Sequence, residues 1–363
     1  MAEAFEAIKR SILHALHGAP PTVVRAVGSS NAVEGKTLDP HLRLLLRIER
    51  FIGRDTTRLS PDQARADLAQ SVRLLGARRF DDVLIEGDHI AAGQHGAAAR
   101  LALRIYRPRG GAADGARPPA LLYFHGGGGV IGNIDTHHDL CSRLCRGARA
   151  VVISVDYRLA PENPFPAAVE DARAAFAWLE ARATELGVDS RRLAVGGDSL
   201  GGNLAAALCL HRAARDEPQP ALQYLLYPWL DLSGSQPSMT TFGAGYLLTA
   251  PVLAYFRRHY LSGADPRDPA VSPAFARVAH LARVAPAIVL TAGFDPLLDE
   301  GRAYADRLAA AAVPVRYKCY DALIHGYASL SPAVPACERA TDDGARELAR
   351  AFAALGAQLE RPS

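Results

Sequence analysis

The stretch Arg192–Asn203 reads RLAVGGDSLGGN. Its first half, RLAVGG, has the apolar character of a strand, and the continuation LAAALCLHRAA has that of a buried helix. Between them, Gly197-Asp198-Ser199-Leu200-Gly201 satisfies G-x-S-x-G at the point where the chain must turn abruptly from strand to helix. The spacing has a physical cause. Ser199 occupies a strained turn, and side chains two residues away on either side would collide with the backbone that holds it, so glycine brackets the serine. The same pentapeptide also occurs in ordinary Gly-rich turns, and it is the strand before and the helix after that turn it into a candidate nucleophile.

The rhythm around this turn predicts an α/β fold. Upstream, ALLYF and AVVISVDY read as strands, each followed by a helical segment, IDTHHDLCSRLCRGA and FPAAVEDARAAFAWLEARATEL. Downstream come the strand ALQYLLYP, the strand APAIVLTAG, the helix PLLDEGRAYADRLAAAA, the strand VPVRYKCYD and a last helix near ERATDDGARELARAFAALGAQL. Such alternation implies a mainly parallel sheet with helices on both faces. DVLIEG and RLALRIYRP add two strands at the front. Residues 1 to about 80 are helical in pattern: Leu42, Leu45, Leu46 and Ile48 share a face, and Ser60 with Pro61 marks a helix start. The segment from about 233 to 275 breaks the rhythm and reads as an insertion able to pack with those helices as a lid.

A serine hydroxyl needs a base, and the base an orienting carboxylate. Where a strand-borne G-x-S-x-G serine does acyl chemistry, the partners follow in the order acid, then histidine. His211 lies in the helix that the serine opens, His259 in the insertion and His280 in a polar connection; His325 follows the strand VRYKCY in a turn-like setting. Asp295 ends the preceding strand, whereas Asp299 and Glu300 fall inside the next helix and are expected to face solvent or support the loop. The expected triad is therefore Ser199, Asp295 and His325.

The second glycine-rich stretch, HGGGGVIG from His125 to Gly132, admits two readings. Gly127, Gly129 and Gly132 fit G-x-G-x-x-G, with Asp156 where a ribose-binding acid would stand, which describes a dinucleotide site. That reading leaves GDSLGG, Asp295 and His325 without a role. The alternative is an oxyanion hole, in which main-chain N–H groups face the oxygen that becomes negative during acyl transfer. Gly127 and Gly128, with the N–H of Leu200 and with Gly126 as a further member, are the expected donors.

The motifs HGGGGVIG, DYRLAPENPFPAAVED, GDSLGG, GFDPLLDEG and IHGY occur in this order between about residues 80 and 330. Together they resemble the bacterial hormone-sensitive-lipase-like carboxylesterases (family IV esterases) of the α/β-hydrolase superfamily. The resemblance implies an α/β-hydrolase fold in residues 81–363, a helical cap made of segment 1–80 and the insertion, and hydrolysis of small esters of short to medium acyl chain. It also implies no cofactor, and dimers in some members. The family often carries a bulky aromatic after the third glycine of its loop; here Gly129 stands there, which predicts extra room beside the hole. Tyr327 agrees with the aromatic that often follows the HG of the base loop. A ligand-binding protein on an inactive scaffold is the rival reading, although no triad position is lost.

The remaining features bound the answer. The 363 residues are 49% hydrophobic, and 41 basic against 38 acidic residues lie intermingled, so nothing suggests a nucleic-acid partner. No segment offers the apolar run of a membrane span, and MAEAFEAIKRSILHALHG lacks that of a signal peptide. Five cysteines, an odd number in a large chain, predict free buried thiols and a cytoplasmic setting. Thr136, His137, His138, Asp139 and Cys141 resemble a metal cluster, but adjacent histidines on a helix point about 100° apart, so no metal site is expected. His125 is expected to brace the glycine loop. Asp198 either tunes the site or anchors the turn, Arg158 and Glu162 are expected to pair, and Tyr246, Leu247 and Leu248 either line a lid pocket or pack in the core.

Overall fold

The computed structural model describes residues 32–76, 78, 80–110 and 116–360, so the N-terminal segment MAEAFEAIKRSILHALHG lies outside the described residues. The chain enters through a small hairpin, β1 (Ala32–Val33) and β2 (Lys36–Thr37), and continues into α1 (Pro40–Ile52) and α2 (Pro61–Leu75). Asp39 caps α1 by accepting the N–H groups of His41 and Leu42 at 2.8 and 3.3 Å. Ser60 caps α2 with Pro61 in its first turn, as the sequence predicts, and Gln63 completes a capping box with Ser60. After β3 (Val83–Ile90) and β4 (Leu101–Pro108) the alternation begins: β5 (Ala120–Phe124), α3 (His138–Ala148), β6 (Val151–Asp156), α4 (Ala167–Arg182), β7 (Leu193–Asp198), α5 (Leu200–Ala214) and β8 (Leu222–Leu226). The irregular segment then holds α6 (Pro237–Thr241) and α7 (Ala250–Leu261), followed by α8 (Val278–Leu281). β9 (Ala287–Phe294), α9 (Leu298–Ala310), β10 (Val315–Ile324) and α10 (Pro335–Leu359) complete the described chain.

The strands form one eight-stranded sheet in the order β10-β9-β8-β7-β5-β6-β4-β3. Every pair from β10 to β6 is parallel, and β4 and β3 add an antiparallel edge. β5 shows why such strands read as continuous apolar runs. Ala120, Leu122 and Phe124 pack on the face covered by α4 and α5, while Leu121 and Tyr123 pack on the face covered by α3 and α10. Successive side chains point to opposite faces, and both faces are buried.

One predicted helix is shorter than its pattern. The segment beginning at Ile134 becomes helical only at His138, because Asn133 Oδ1 accepts the N–H groups of Asp135 and Thr136, both at 2.9 Å. This side-chain turn satisfies donors that a helix would have to leave open.

The parallel strands end together at one edge, and the turn after β7 is held there. Gly197 is in register with Phe124 of β5, and the Ser199 N–H donates to Leu226 O of β8 at 2.9 Å. Ser199 has φ 53° and ψ −119°, outside the comfortable regions for a residue with a Cβ. A Cβ on Gly201 would overlap the carbonyls of Phe124 and His125, and one on Gly197 would overlap Phe124 O and the backbone of Gly201. Gly201→Ala must therefore push α5 off β5. A loss of about 1–3 kcal/mol of stability is expected, measurable as a lowered urea midpoint; an unchanged midpoint would contradict this account of the turn.

Candidate active site

Three side chains meet above the strand ends. Asp295 follows β9 directly and is fully buried; its Oδ1 accepts the Leu297 N–H at 2.8 Å, which fixes the carboxylate. His325 follows β10 after a register shift between Tyr320 and Ile324. Its Nδ1 lies 2.9 Å from Asp295 Oδ2 and its Nε2 3.1 Å from Ser199 Oγ. A carboxylate can only accept, so Nδ1 carries the proton and Nε2 is left to accept from the serine hydroxyl. The edge of Tyr227 packs on the imidazole, with ring centroids 4.8 Å apart, and holds its tilt.

The glycine loop turns back beside Ser199. Gly127 and Gly128 have φ of 112° and 62°, and the carbonyl of Gly127 accepts from Val130 and Ile131 at 3.1 and 3.0 Å, which closes the loop. Among the described residues, the N–H groups of Gly127 and Gly128 donate to no protein acceptor. The N–H of Leu200, first in α5, has no intrahelical partner by position. The loop opens no helix: α3 starts only at His138, so no helix dipole faces the glycines as a dinucleotide would require.

Two expectations for this loop need correction. Gly126 cannot serve as an oxyanion donor, because its N–H is spent on Asp198 Oδ1 at 2.9 Å. Nor does Gly129 leave room beside the hole: a Cβ there would run into Tyr260 and Leu200, and one on Gly128 into Phe256. The aromatic bulk beside the loop is supplied from α7.

Asp198, left open between two roles by the sequence, anchors the turn to the loop. Besides Gly126 it accepts the Tyr123 hydroxyl at 2.8 Å, and His137 Nε2 stands 3.4 Å away. Burial opposes its ionisation, but His137, by charge and hydrogen bond, and the Tyr123 hydroxyl outweigh burial and hold the carboxyl below its ordinary range. His125 braces the loop as expected: its Nδ1 is 2.8 Å from Gly126 O, and Tyr157 stacks on its ring at 4.2 Å. Burial above all lowers its pKa to about 3, so it stays neutral and is no proton acceptor at ordinary pH. His137 and His138 diverge, the first toward Asp198 and the second toward the Tyr106 hydroxyl at 3.3 Å. No group of side chains able to hold a metal occurs among the described residues.

Ser199 and His325 open into a cavity of about 360 Å³. Its walls are largely apolar, with Leu68 and Val72 of α2, Leu248, Leu253 and Phe256, and Trp229 after β8, and they also carry Glu49, Arg54, Asp67 and Ser71. Leu247 also lines it, whereas Tyr246 packs on Phe294 with ring centroids 5.3 Å apart. Nothing in the sequence singles out Trp229 or Phe256, and His137 stands out only as part of an apparent metal cluster; the folded chain brings all three to the site.

A profile of the alpha/beta hydrolase fold family matches residues 121–329. The chain belongs to this family. It is 42% identical to "Carboxylic ester hydrolase LipN" of Mycobacterium tuberculosis, across 86% of this chain and 82% of that protein. It is 40% identical to "Ethyl acetate hydrolase" of Pseudomonas putida, across 74% and 83%. In three dimensions it matches a thermostable esterase from Pseudomonas putida ECU1011 with a TM-score of 0.81 at 33% identity, covering 89% of this chain and 99% of that one. The protein is a carboxylic ester hydrolase of the hormone-sensitive-lipase-like group that its motifs resemble.

Other parts of the esterase differ from expectation. Arg158 does not pair with Glu162: its Nη2 reaches Asp171 at 2.8 Å and Glu170 at 3.3 Å, while Glu162 pairs with Arg65 of α2 at 2.6 Å. The cause is chain direction, since α4 turns its acidic first turn back over Arg158. All five cysteines are free; Cys141, Cys145, Cys209 and Cys337 are buried, and Cys319 is half-buried. Burial pushes the Cys145 thiol up to about 12 and that of Cys319 up to about 11, which leaves both inert as nucleophiles. Among the described residues no helix is long and apolar enough to cross a membrane.

Of the two roles expected for Glu300, it takes the loop-supporting one and does not face solvent, being fully buried under the 230 loop. Oε1 accepts the N–H groups of Leu230 and Asp231, the latter at 3.0 Å, and Oε2 has no partner among the described residues. Burial drives this carboxyl well above its ordinary range. The native state thus binds the proton more tightly than the unfolded chain, so stability falls as pH rises from the ordinary carboxyl range toward the raised value. Between about pH 5 and about pH 8, the wild-type urea midpoint should fall more than that of Glu300→Gln, which has no proton to lose. Parallel slopes for the two proteins would show that Glu300 is charged in the native state.

Proposed function

We propose that the protein hydrolyses esters of short to medium acyl chain through an acyl-enzyme on Ser199, with His325 as general base and acid and Asp295 as its orienter. The observation that carries this reading is the continuous hydrogen-bond path Asp295–His325–Ser199 at 2.9 and 3.1 Å, opening into a largely apolar cavity. Ser199 Oγ attacks the carbonyl carbon while Nε2 of His325 takes its proton. The carbonyl oxygen becomes an oxyanion between the N–H groups of Gly127, Gly128 and Leu200. Preorganised donors of this kind are worth about 3–4 kcal/mol each to the transition state. Collapse of the intermediate expels the alcohol, which leaves with the proton from His325. Water, deprotonated by the same imidazole, then attacks the acyl-enzyme; the acid departs and Ser199 recovers its proton.

The walls support this substrate class. Ligand pockets span about 300–1,000 Å³, and a cavity of about 360 Å³ suits small apolar acyl and alcohol groups. The names of the relatives, a carboxylic ester hydrolase and an ethyl acetate hydrolase, agree with this. In this reading α1, α2 and segment 233–275 act as a cap over the α/β-hydrolase unit. The five free thiols support a cytoplasmic setting. A homodimer rests on the family resemblance and is open to light scattering.

Ser199→Ala is expected to lower kcat on p-nitrophenyl butyrate by about 10⁵-fold or more with the thermal midpoint preserved, and to abolish labelling by a fluorophosphonate probe. Asp295→Asn should keep the labelling site yet lower kcat by about 10³–10⁴-fold, because the amide favours the wrong imidazole tautomer. Retained turnover in the first variant would remove the proposal. A wild-type protein that the probe does not label would indicate an inactive scaffold.

A further inference from the structure

Arg65 lies near the start of α2, far in sequence from the glycine loop, yet every N–H of its guanidinium is committed. Nε donates to Val130 O at 2.9 Å, and Nη2 to Ala160 O at 2.9 Å and Glu162 Oε2 at 2.6 Å. Nη1 donates to Glu162 Oε1 at 2.9 Å and Asp62 Oδ1 at 3.0 Å. A guanidinium has five donors in a rigid planar fork, and here they meet five acceptors on three separate segments.

The acceptors lead to the reacting centre. Val130 belongs to the glycine loop, and its own N–H closes that loop onto Gly127 O at 3.1 Å. Ala160 donates its N–H to Gly129 O at 2.8 Å. Two of Arg65's acceptors thus stand one hydrogen bond from the loop that carries Gly127 and Gly128. On the other side, α2 supplies Leu68, Ser71, Val72 and Leu75 to the cavity wall. One side chain therefore joins the substrate-facing wall to the main chain of the loop.

We propose that Arg65 is a positioning residue for catalysis: seated with α2, it holds the glycine loop so that the Gly127 and Gly128 N–H groups face the developing oxyanion. This inference rests on the oxyanion role proposed above. It assigns to α2 a part in the chemical step as well as in enclosing the substrate. If Arg65 served only to fasten α2, its loss would loosen the wall, raising KM for longer acyl chains and leaving kcat on the smallest ester alone.

The test compares wild type, Arg65→Met, Arg65→Lys and Arg58→Met on p-nitrophenyl acetate and p-nitrophenyl hexanoate, with hydrogen exchange of the peptide spanning residues 126–131. Arg58 is an exposed control paired with Asp55 at 3.2 Å. For Arg65→Met, kcat should fall by about 10- to 100-fold on both esters, the scale of a displacement of about 1 Å, and the loop amides should exchange faster. Lysine should not rescue either property, since an ammonium cannot serve five planar acceptors. Arg58→Met should match wild type. Should Arg65→Met be insoluble, Glu162→Gln carries the same comparison, with a fall in kcat of about 3- to 10-fold. Unchanged kcat on the acetate together with unchanged exchange overturns the inference and leaves the esterase reading intact. A wild-type protein without turnover of either ester overturns the esterase reading, and this inference with it.

Discussion

Everything at the site depends on a steric constraint: Ser199 sits at φ 53° and ψ −119°, on a turn that leaves no space for a Cβ at Gly197 or Gly201. The strand β7 must end against Phe124 of β5 for its register to hold, and α5 must start at once to bury its apolar side. Between those demands a single residue takes up the strain, at a cost of order 1–3 kcal/mol. That cost is met by the sheet itself, through the Ser199 N–H bonded to Leu226 and the Ser199 carbonyl accepting from Trp229 at 3.0 Å. The hydroxyl is thereby fixed relative to β8, and through the parallel ladder relative to the ends of β9 and β10.

Two buried acids below this turn show opposite solutions to the same problem. Asp198 is surrounded by donors, from Tyr123, Gly126 and nearby His137, and it remains ionised more readily than an ordinary carboxyl. In doing so it links the turn that carries Ser199 to the glycine loop and consumes the Gly126 amide. Glu300 accepts from two main-chain N–H groups but, among the described residues, has no cation beside it and an orphaned Oε2, so burial pushes its carboxyl well above the ordinary range. The carboxyl braces the loop after Trp229 through those two main-chain N–H groups. The difference is set by the neighbours and not by depth, since both groups are buried.

The layered fold was readable because strand and helix periods are local. The candidate triad was readable because G-x-S-x-G, the acid and the histidine each stand directly after a strand, and parallel strands bring their ends to one edge whatever lies between. The starts of α2 and α5 were equally local, since Ser60 and Ser199 carry their own signals. Arg65, Trp229, Phe256 and the role of His137 beside Asp198 were hidden for the opposite reason: each acts on a residue tens of positions away, and no spacing rule connects them. Pairing Arg158 with Glu162 by proximity failed on the same ground, because Asp171 from α4 and Arg65 from α2 compete for those partners.

The order of elements, the glycines that a strained turn and an inward-facing loop require, and the side chains able to move a proton are properties of the sequence alone, because each depends on neighbours a few residues away. The tertiary structure decided which main-chain N–H groups remain open and what fills the space beside them. Gly126 lost its amide to Asp198, and the space beside Gly128 and Gly129 went to Phe256 and Tyr260. Competition for a donor or for volume is settled by groups from distant segments meeting at one point, and that meeting exists only after the sheet has assembled.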